Sequence, residues 1–393
     1  MKEPETKVQH GSVEQVHTEK HTSSLAGNYL VSISQSKSDY KWSLYDIDEI
    51  THGMDIVANG ERSTKALSTP KPITSASPIV DLNCVQTEDD VLEIEVTDLK
   101  SEESVPKDLV LVLQSIFLQW SARQLSTDSS TKEWKVSIGS SNDVMYSDLS
   151  SESALEELFS SFVQDFSSDE WVEMVTGDGS ILGQLPRSLV HTFNILHRGI
   201  GLFVTKDEPM DETKGIFPPL YVHRRVDNKR VFPSLYDMFV GGVSLASEPS
   251  ELTARREVTE ELGLSRALED TDALSNPVLE CVICTELNRC VVTLFCYTMD
   301  MSKETLSWQE EEVAWGDFVP YPIIVAAADR SIQRLAETKE WPGAYPPIQS
   351  SMKGSPPEGV SYEGDSWINW DFVPDGLLVW EAWLRKLADH SFN

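Results

Sequence analysis

Residues 242–264, GVSLASEPSELTARREVTEELGL, constrain the fold of this chain more than any other stretch. Gly241 and Gly242 suit a tight loop, because glycine takes positive φ at no steric cost. Pro249 fits the first helical position, and Glu251 lies where negative charge suits a helix N-terminus. Gly263 stands where a helix would stop in the left-handed conformation. Between these ends there is room for about three turns of helix. At about 100° per residue, Ala254, Val258 and Leu262 share one stripe, which should face the core. Glu257, Glu260 and Glu261 fall on a neighbouring stripe about 100° wide by the same arithmetic. Three like charges so close repel unless a cation sits between them. Carboxylate oxygens are hard ligands, so Mg²⁺ or Mn²⁺ is the natural counter-ion.

An ordinary solvated acidic face would explain a pair of glutamates. It would not explain nine positions held at fixed separations: Gly242, Glu248, Arg256, Glu257, Val258, Glu260, Glu261, Gly263 and Leu264. That pattern resembles the Nudix box, G-x5-E-x7-R-E-U-x-E-E-x-G-U, in full, where U is aliphatic. The resemblance implies that Glu257, Glu260 and Glu261 hold divalent ions and that Arg256 pairs with Glu248 to brace the loop. It also implies cleavage of a diphosphate bond in a nucleoside diphosphate linked to a second group.

The flanking order is similar to the isopentenyl-diphosphate-isomerase-like branch of that superfamily. A lead-in hairpin is expected from Glu170-Trp171-Val172 through Gly179 and Gly183, followed by Leu196-His197-Arg198 and a long strand to Val204. Pro219–Arg225 reads as a second strand, ending His223-Arg224-Arg225, with Lys229 and then Pro233-Ser234-Leu235-Tyr236-Asp237 before the box. Gln309-Glu310-Glu311-Glu312-Val313 and Phe372-Val373-Pro374-Asp375 continue the likeness, which covers nothing before about Asp165. Isomerisation itself needs a cysteine and a metal-binding histidine at positions that here hold Gly241 and Val243. Hydrolysis is therefore the primary reading. An isomerase-like protein and a non-catalytic diphosphate-binding module are the alternatives.

Cleaving a diphosphate requires neutralised phosphoryl charge and a nucleophilic water, both of which a divalent ion supplies. A backbone carbonyl at Gly241 or Gly242 would complete the shell around the box glutamates. A further acidic residue is expected from a later loop as general base or ligand. Glu312 is the first choice and Glu310 the second, with Glu311 beside them; Glu257 and Glu260 are the box alternatives. Arg225 and Lys229 are expected to grip the diphosphate, Arg through its planar fork and Lys as a point charge. His191 and His197 echo the isomerase's metal-binding pair but are expected to be structural. Cys281, Cys284, Cys290 and Cys296 offer metal-ligand chemistry. Strand spacing, however, sends Cys281 and Cys284 to opposite faces, so buried thiols are expected.

At 393 residues, the chain is long enough for two domains. Residues 1–26 read as a polar disordered arm, residues 27–165 as an α+β accessory region, and residues 166–393 as the Nudix domain with a surface loop insertion at 331–365. The overall fold class expected is α/β, a Nudix α/β/α sandwich with a mixed sheet plus that accessory region. Strands are expected near Asn28–Tyr45, Val91–Val96 and Trp134–Ile138, a loop or linker at Thr51–Pro78, and helices at Lys107–Arg123, Ala154–Phe166 and Leu377–Leu387. The accessory region carries no chemical motif; it either packs on the Nudix domain or offers a surface to a protein partner. The net charge of -32 argues against nucleic acid and anionic membranes as partners and leaves a small-molecule diphosphate substrate. No run approaches about 18 apolar residues, and the polar first 25 residues lack a secretory h-region. The expected address is cytoplasmic.

Overall fold

The computed structural model describes residues 20–26, 29–36, 39–46, 80–86, 92–97 and 134–137 through their strand pairing. It describes residues 166, 168–208, 217–229, 231–285, 287–338, 340, 362 and 367–390 more fully. The first group forms one sheet of six strands in chain order: β1 (Lys20–Ala26), β2 (Tyr29–Ser36), β3 (Asp39–Asp46), β4 (Val80–Gln86), β5 (Leu92–Thr97) and β6 (Trp134–Ser137). Neighbours are antiparallel except β5 and β6, which are parallel. Lys20–Ala26, expected in the disordered arm, is instead a strand paired along its length with β2. Its polar side chains hid it, because backbone pairing needs no apolar periodicity. The expected linker at Thr51–Pro78 and the helices expected at Lys107–Arg123 and Ala154–Phe166 lie outside the described residues, except for Phe166 itself.

The second sheet is mixed and has nine strands. Its centre is β9 (His197–Lys206), which runs parallel to β14 (Arg289–Met299) from His197↔Cys290 to Lys206↔Met299. A lead-in hairpin, β7 (Trp171–Val175) and β8 (Ile181–Pro186), turns at Gly179 with φ +80°. The short helix α1 (Arg187–Thr192) follows. Then come β10 (Leu220–Arg225), β11 (Tyr236–Asp237) and β12 (Val240–Val243), the last antiparallel to β9. Beyond the box helix α2 (Ser250–Leu262) and the short α3 (Arg266–Glu269) lie β13 (Leu279–Cys284), β14 and β15 (Val313–Val319). Helices α4 (Tyr321–Thr338) and α5 (Pro374–His390) complete the chain.

Strand alternation distributes side chains to two cores. Ile200, Leu202 and Val204 of β9 with Phe295 and Tyr297 of β14 pack under Ala254, Val258 and Leu262 of α2. Phe203, Val222, Val292 and Leu294 pack on the other face, against Ile324 and Ala328 of α4 and Leu377 and Trp380 of α5. Helices cover both faces, which makes the expected α/β/α sandwich with a mixed sheet. Ser331–Thr338, expected to begin a surface loop, is instead the last part of α4. The prolines and glycines that suggested a loop begin only at Pro342, and nothing before them breaks the helix. Ser331 is buried there, and its hydroxyl accepts the Phe372 N–H at 3.0 Å. Trp380 is fully buried and Trp383 packs beside it, as expected of core aromatics. No helix among the described residues is long and apolar enough to cross a membrane.

Ala254, Val258 and Leu262 have no solvent exposure. Leu262→Ala should therefore cost about 2–5 kcal/mol by lost transfer energy and cavity formation. Urea unfolding followed by circular dichroism measures that loss; a change below about 1 kcal/mol would place Leu262 outside the core.

Candidate active site

The loop from β12 into α2 is clamped by the lead-in hairpin. Ser244 N–H reaches Arg198 O at 3.1 Å, Ala246 N–H reaches Trp171 O at 2.7 Å, and Ser247 N–H donates to Glu173 Oε1 at 2.9 Å. Glu173 is buried and pairs with Arg198, whose Nη2 also donates to Glu248 O at 3.0 Å. Ser247 takes φ 64°, a left-handed conformation that these contacts hold in place. Pro249 flanks the helix rather than opening it, and α2 starts at Ser250. The helix ends on Gly263 at φ 70°, whose N–H returns to Thr259 O at 2.9 Å.

Arg256 organises the acidic stripe. Its Nε and Nη2 meet the two oxygens of Glu248 at 3.0 Å each, a bidentate pair, and Nη2 also donates to Val243 O at 3.2 Å. Nη1 donates to Glu257 Oε1 at 2.7 Å and to Glu260 Oε2 at 3.2 Å. Burial works against it, but the Arg256 fork, the Leu245 N–H and the Thr253 hydroxyl together hold the Glu248 carboxyl below its ordinary range. Gly242 sits against the Glu257 carboxyl, and a Cβ there would overlap it. The box therefore needs glycine at 242 for room, independently of any part its carbonyl plays.

The three box glutamates differ in environment. The Glu257 side chain is 13% exposed and that of Glu260 is 52% exposed. Burial raises the Glu257 carboxyl, with Arg256 opposing. Burial, then Glu257 and Asp237, push Glu261 up to about 8. Among the described residues no three acidic, histidine or cysteine side chains converge on one point; the Arg256 guanidinium pairs with both Glu257 and Glu260. The donor set nevertheless suits a hard divalent cation. Its carboxylate oxygens share one helix stripe, and burial followed by neighbouring acids raises Glu257 and Glu261, a condition that an added cation relieves.

Arg225 and Lys229 face this stripe. Both act electrostatically on Glu261, and burial followed by Arg225 lowers the Lys229 ammonium. Arg225 Nη2 donates to Val231 O at 3.2 Å. Lys229 forms an ion pair with Glu312. Glu310 and Glu311 are exposed, whereas Glu312 is partly buried. The turn that carries Glu312 abuts the end of α2, with Gln309 N–H on Glu261 O at 3.1 Å.

Sequence reasoning singled out neither Tyr221 nor His223, and took Asp237 only as part of the pattern before the box. Tyr221, His223 and Arg225 alternate along one face of β10, and Asp237 is the cross-strand partner of His223. Tyr221 Oη, His223 Nδ1 and Arg225 Nε are buried without a hydrogen-bond partner among the described residues. Burial pushes the Asp237 carboxyl up to about 7 against the pull of Arg225. Period-two spacing back from Arg225 was the available signal. Cys281, Cys284, Cys290 and Cys296 are free: Cys281 and Cys290 are buried in one core, and Cys284 lies on the other face of β13. Burial raises the Cys281 thiol to about 12 and that of Cys284 to about 11. The rings of His191 and His197 meet edge to face, with centroids 5.6 Å apart, and His197 Nδ1 lies 2.8 Å from Ile195 O.

Burial lowers His197 from 6.5 to about 4 and His223 from 6.5 to about 3, so both stay neutral in the fold. The unfolded chain takes up these protons first, and stability falls as pH drops from 6.5 toward 4. His197→Asn, which keeps a donor for Ile195 O, should flatten that limb by on the order of 3 kcal/mol. Urea unfolding across that pH range reads the effect; an unchanged slope would mean that His197 charges freely in the fold.

No family model matches the chain. An uncharacterized Nudix hydrolase of Streptomyces coelicolor is 29% identical over 220 residues, 55% of this chain and 91% of its own length. An uncharacterized Nudix hydrolase of Rhodococcus erythropolis is 38% identical over 96 residues, 24% of this chain and 48% of its own. The uncharacterized Nudix hydrolase YfcD of Escherichia coli K12 is 30% identical over 98 residues, 25% of this chain and 49% of its own. The chain thus spans about half the length of the latter two relatives. A crystal structure from Deinococcus radiodurans is 22% identical with a TM-score of 0.31, covering 43% of this chain and 90% of that one. By its intact box and these sequence relatives, the chain is similar to Nudix hydrolases.

Proposed function

We propose that the protein is a divalent-metal-dependent pyrophosphohydrolase that cleaves the diphosphate bond of a nucleoside diphosphate-linked or related organic diphosphate. The observation that carries this reading is electrostatic: the carboxylate stripe of α2 lies within the field of Arg225 and Lys229. Glu261 is raised by burial and then by its acidic neighbours, and Lys229 is lowered by burial and then by Arg225; such a site is complementary to a metal-bound polyphosphate. Glu257, Glu260 and Glu261 would hold Mg²⁺ or Mn²⁺, with the Gly242 carbonyl as a further ligand. Bound there, the ion would neutralise phosphoryl charge and lower the pKa of a water. Arg225 and Lys229 orient the diphosphate. Glu312 accepts the proton of the attacking water, with Glu260 and Glu257 as the alternatives within the box. Glu248 and Arg256 keep the loop and the helix in register, so that Glu257 and Glu260 would stay in place when they hold the ion.

The order of flanking motifs supports a place in the isopentenyl-diphosphate-isomerase-like branch. Gly241 and Val243 offer neither the thiol nor the imidazole that isomerisation uses, which supports hydrolysis within that branch. We further assign residues 166–393 to the hydrolase domain and residues 27–165 to an accessory region that packs on it or recruits a protein partner. A cytoplasmic address fits the free thiols at Cys281, Cys284, Cys290 and Cys296.

The test is a panel of nucleoside diphosphate sugars, dinucleoside polyphosphates, nucleoside triphosphates and prenyl diphosphates with Mg²⁺ or Mn²⁺. Phosphate is read with and without added phosphatase, and turnover of at least one class is expected. Glu260→Gln or Glu261→Gln should then lower kcat by orders of magnitude while circular dichroism and melting stay near wild type. Near-normal turnover in either variant refutes the metal assignment. A blank panel with metal bound favours a diphosphate-binding module.

A further inference from the structure

The ion pair between Lys229 and Glu312 joins two residues that the reaction needs apart. Both are half-buried, with side chains 22% and 33% exposed, so the contact is stronger than an open surface pair. The backbone on either side is fixed. Val226 N–H donates to Glu312 O at 3.2 Å, and Arg225 is the cross-strand partner of Val313. Glu312 N–H closes its own turn on Gln309 O at 3.0 Å, and Ser307 N–H caps Leu262 O at 2.9 Å. With both turns pinned, the Lys229 and Glu312 side chains are the parts free to change partner. One ammonium cannot serve a carboxylate and a diphosphate equally. An arriving diphosphate carries more charge than Glu312 and repels it.

Resting on the pyrophosphohydrolase reading above, we propose that Lys229 is a positioning residue for Glu312. Lys229 holds the carboxylate in the empty enzyme and releases it when the substrate's diphosphate takes its place. Glu312 then turns toward the water beside the box. The exchange ties the availability of the base to occupancy of the diphosphate site, and it makes Glu312 a competitor of the substrate for Lys229.

Competition gives a signature that a purely structural ion pair lacks. The measurement is calorimetric titration of the full chain with methylene diphosphonate, whose P–C–P bridge resists hydrolysis, in magnesium. Lys229→Ala should weaken binding about tenfold, and Glu312→Gln should tighten it about three- to tenfold while lowering kcat. In the Lys229→Ala background, Glu312→Gln should tighten the diphosphonate clearly less than it does with the lysine present, because only the repulsion between the two anions is then removed and no lysine remains to be freed. Equal tightening in both backgrounds would reduce the effect to plain repulsion and overturn the exchange. Weaker or unchanged binding in Glu312→Gln alone overturns it as well. If the wild type neither binds diphosphonate nor turns over any diphosphate, the pyrophosphohydrolase reading itself fails, and the proposal with it.

Discussion

The Arg256 guanidinium is the joint on which the box depends. One planar group reaches both oxygens of Glu248, the carbonyl of Val243, and the carboxyls of Glu257 and Glu260. It thereby ties the end of β12, the following loop and the middle and second half of α2 into one unit. A lysine could not do this, because a single ammonium lacks the fork that matches a carboxylate bidentately. Beneath that joint, the loop hangs from Glu173 of the lead-in hairpin and Arg198 of β9. The hairpin is therefore part of the site's support, although it supplies none of the box residues.

Charge in this region is arranged against itself. Glu257 and Asp237 both raise Glu261, while Arg225 lowers Lys229. Folding into such an arrangement costs stability, and the sandwich absorbs that cost through two cores on either face of one sheet. The unpartnered polar atoms along β10 belong to the same pattern. A strand that packs Leu220 and Val222 in one core but turns Tyr221, His223 and Arg225 to the face of the acidic helix is organised on that face for polar chemistry.

Much of the fold was legible because its signals are local. The strand runs of β7 and β10 and the apolar stripe of α2 can be read from a few neighbouring residues, the stripe from a period of about 3.6. Even the separation of Cys281 from Cys284 is strand geometry. The misreadings were local too. Lys20–Ala26 pairs through its backbone without an apolar face, and Ser331–Thr338 was masked by the proline- and glycine-rich residues from Pro342 onward. Helix α4 went unread before Ser331, and α1 went unread altogether at six residues. A helix so short carries less than two turns of pattern.

The sequence by itself determined that three glutamates share one stripe of a glycine-bounded helix, since spacing along a helix is set by its own backbone hydrogen bonds. It also determined that Arg256 and Glu248 are within reach, one on that helix and one just before it. Only the tertiary structure decided that Glu261 lies in the field of Asp237, that Tyr221 and His223 bury unpartnered polar atoms along β10, and that Lys229 holds Glu312. Those pairings join elements far apart in the chain, and sheet order and register choose them, through packing that no single stretch of residues encodes.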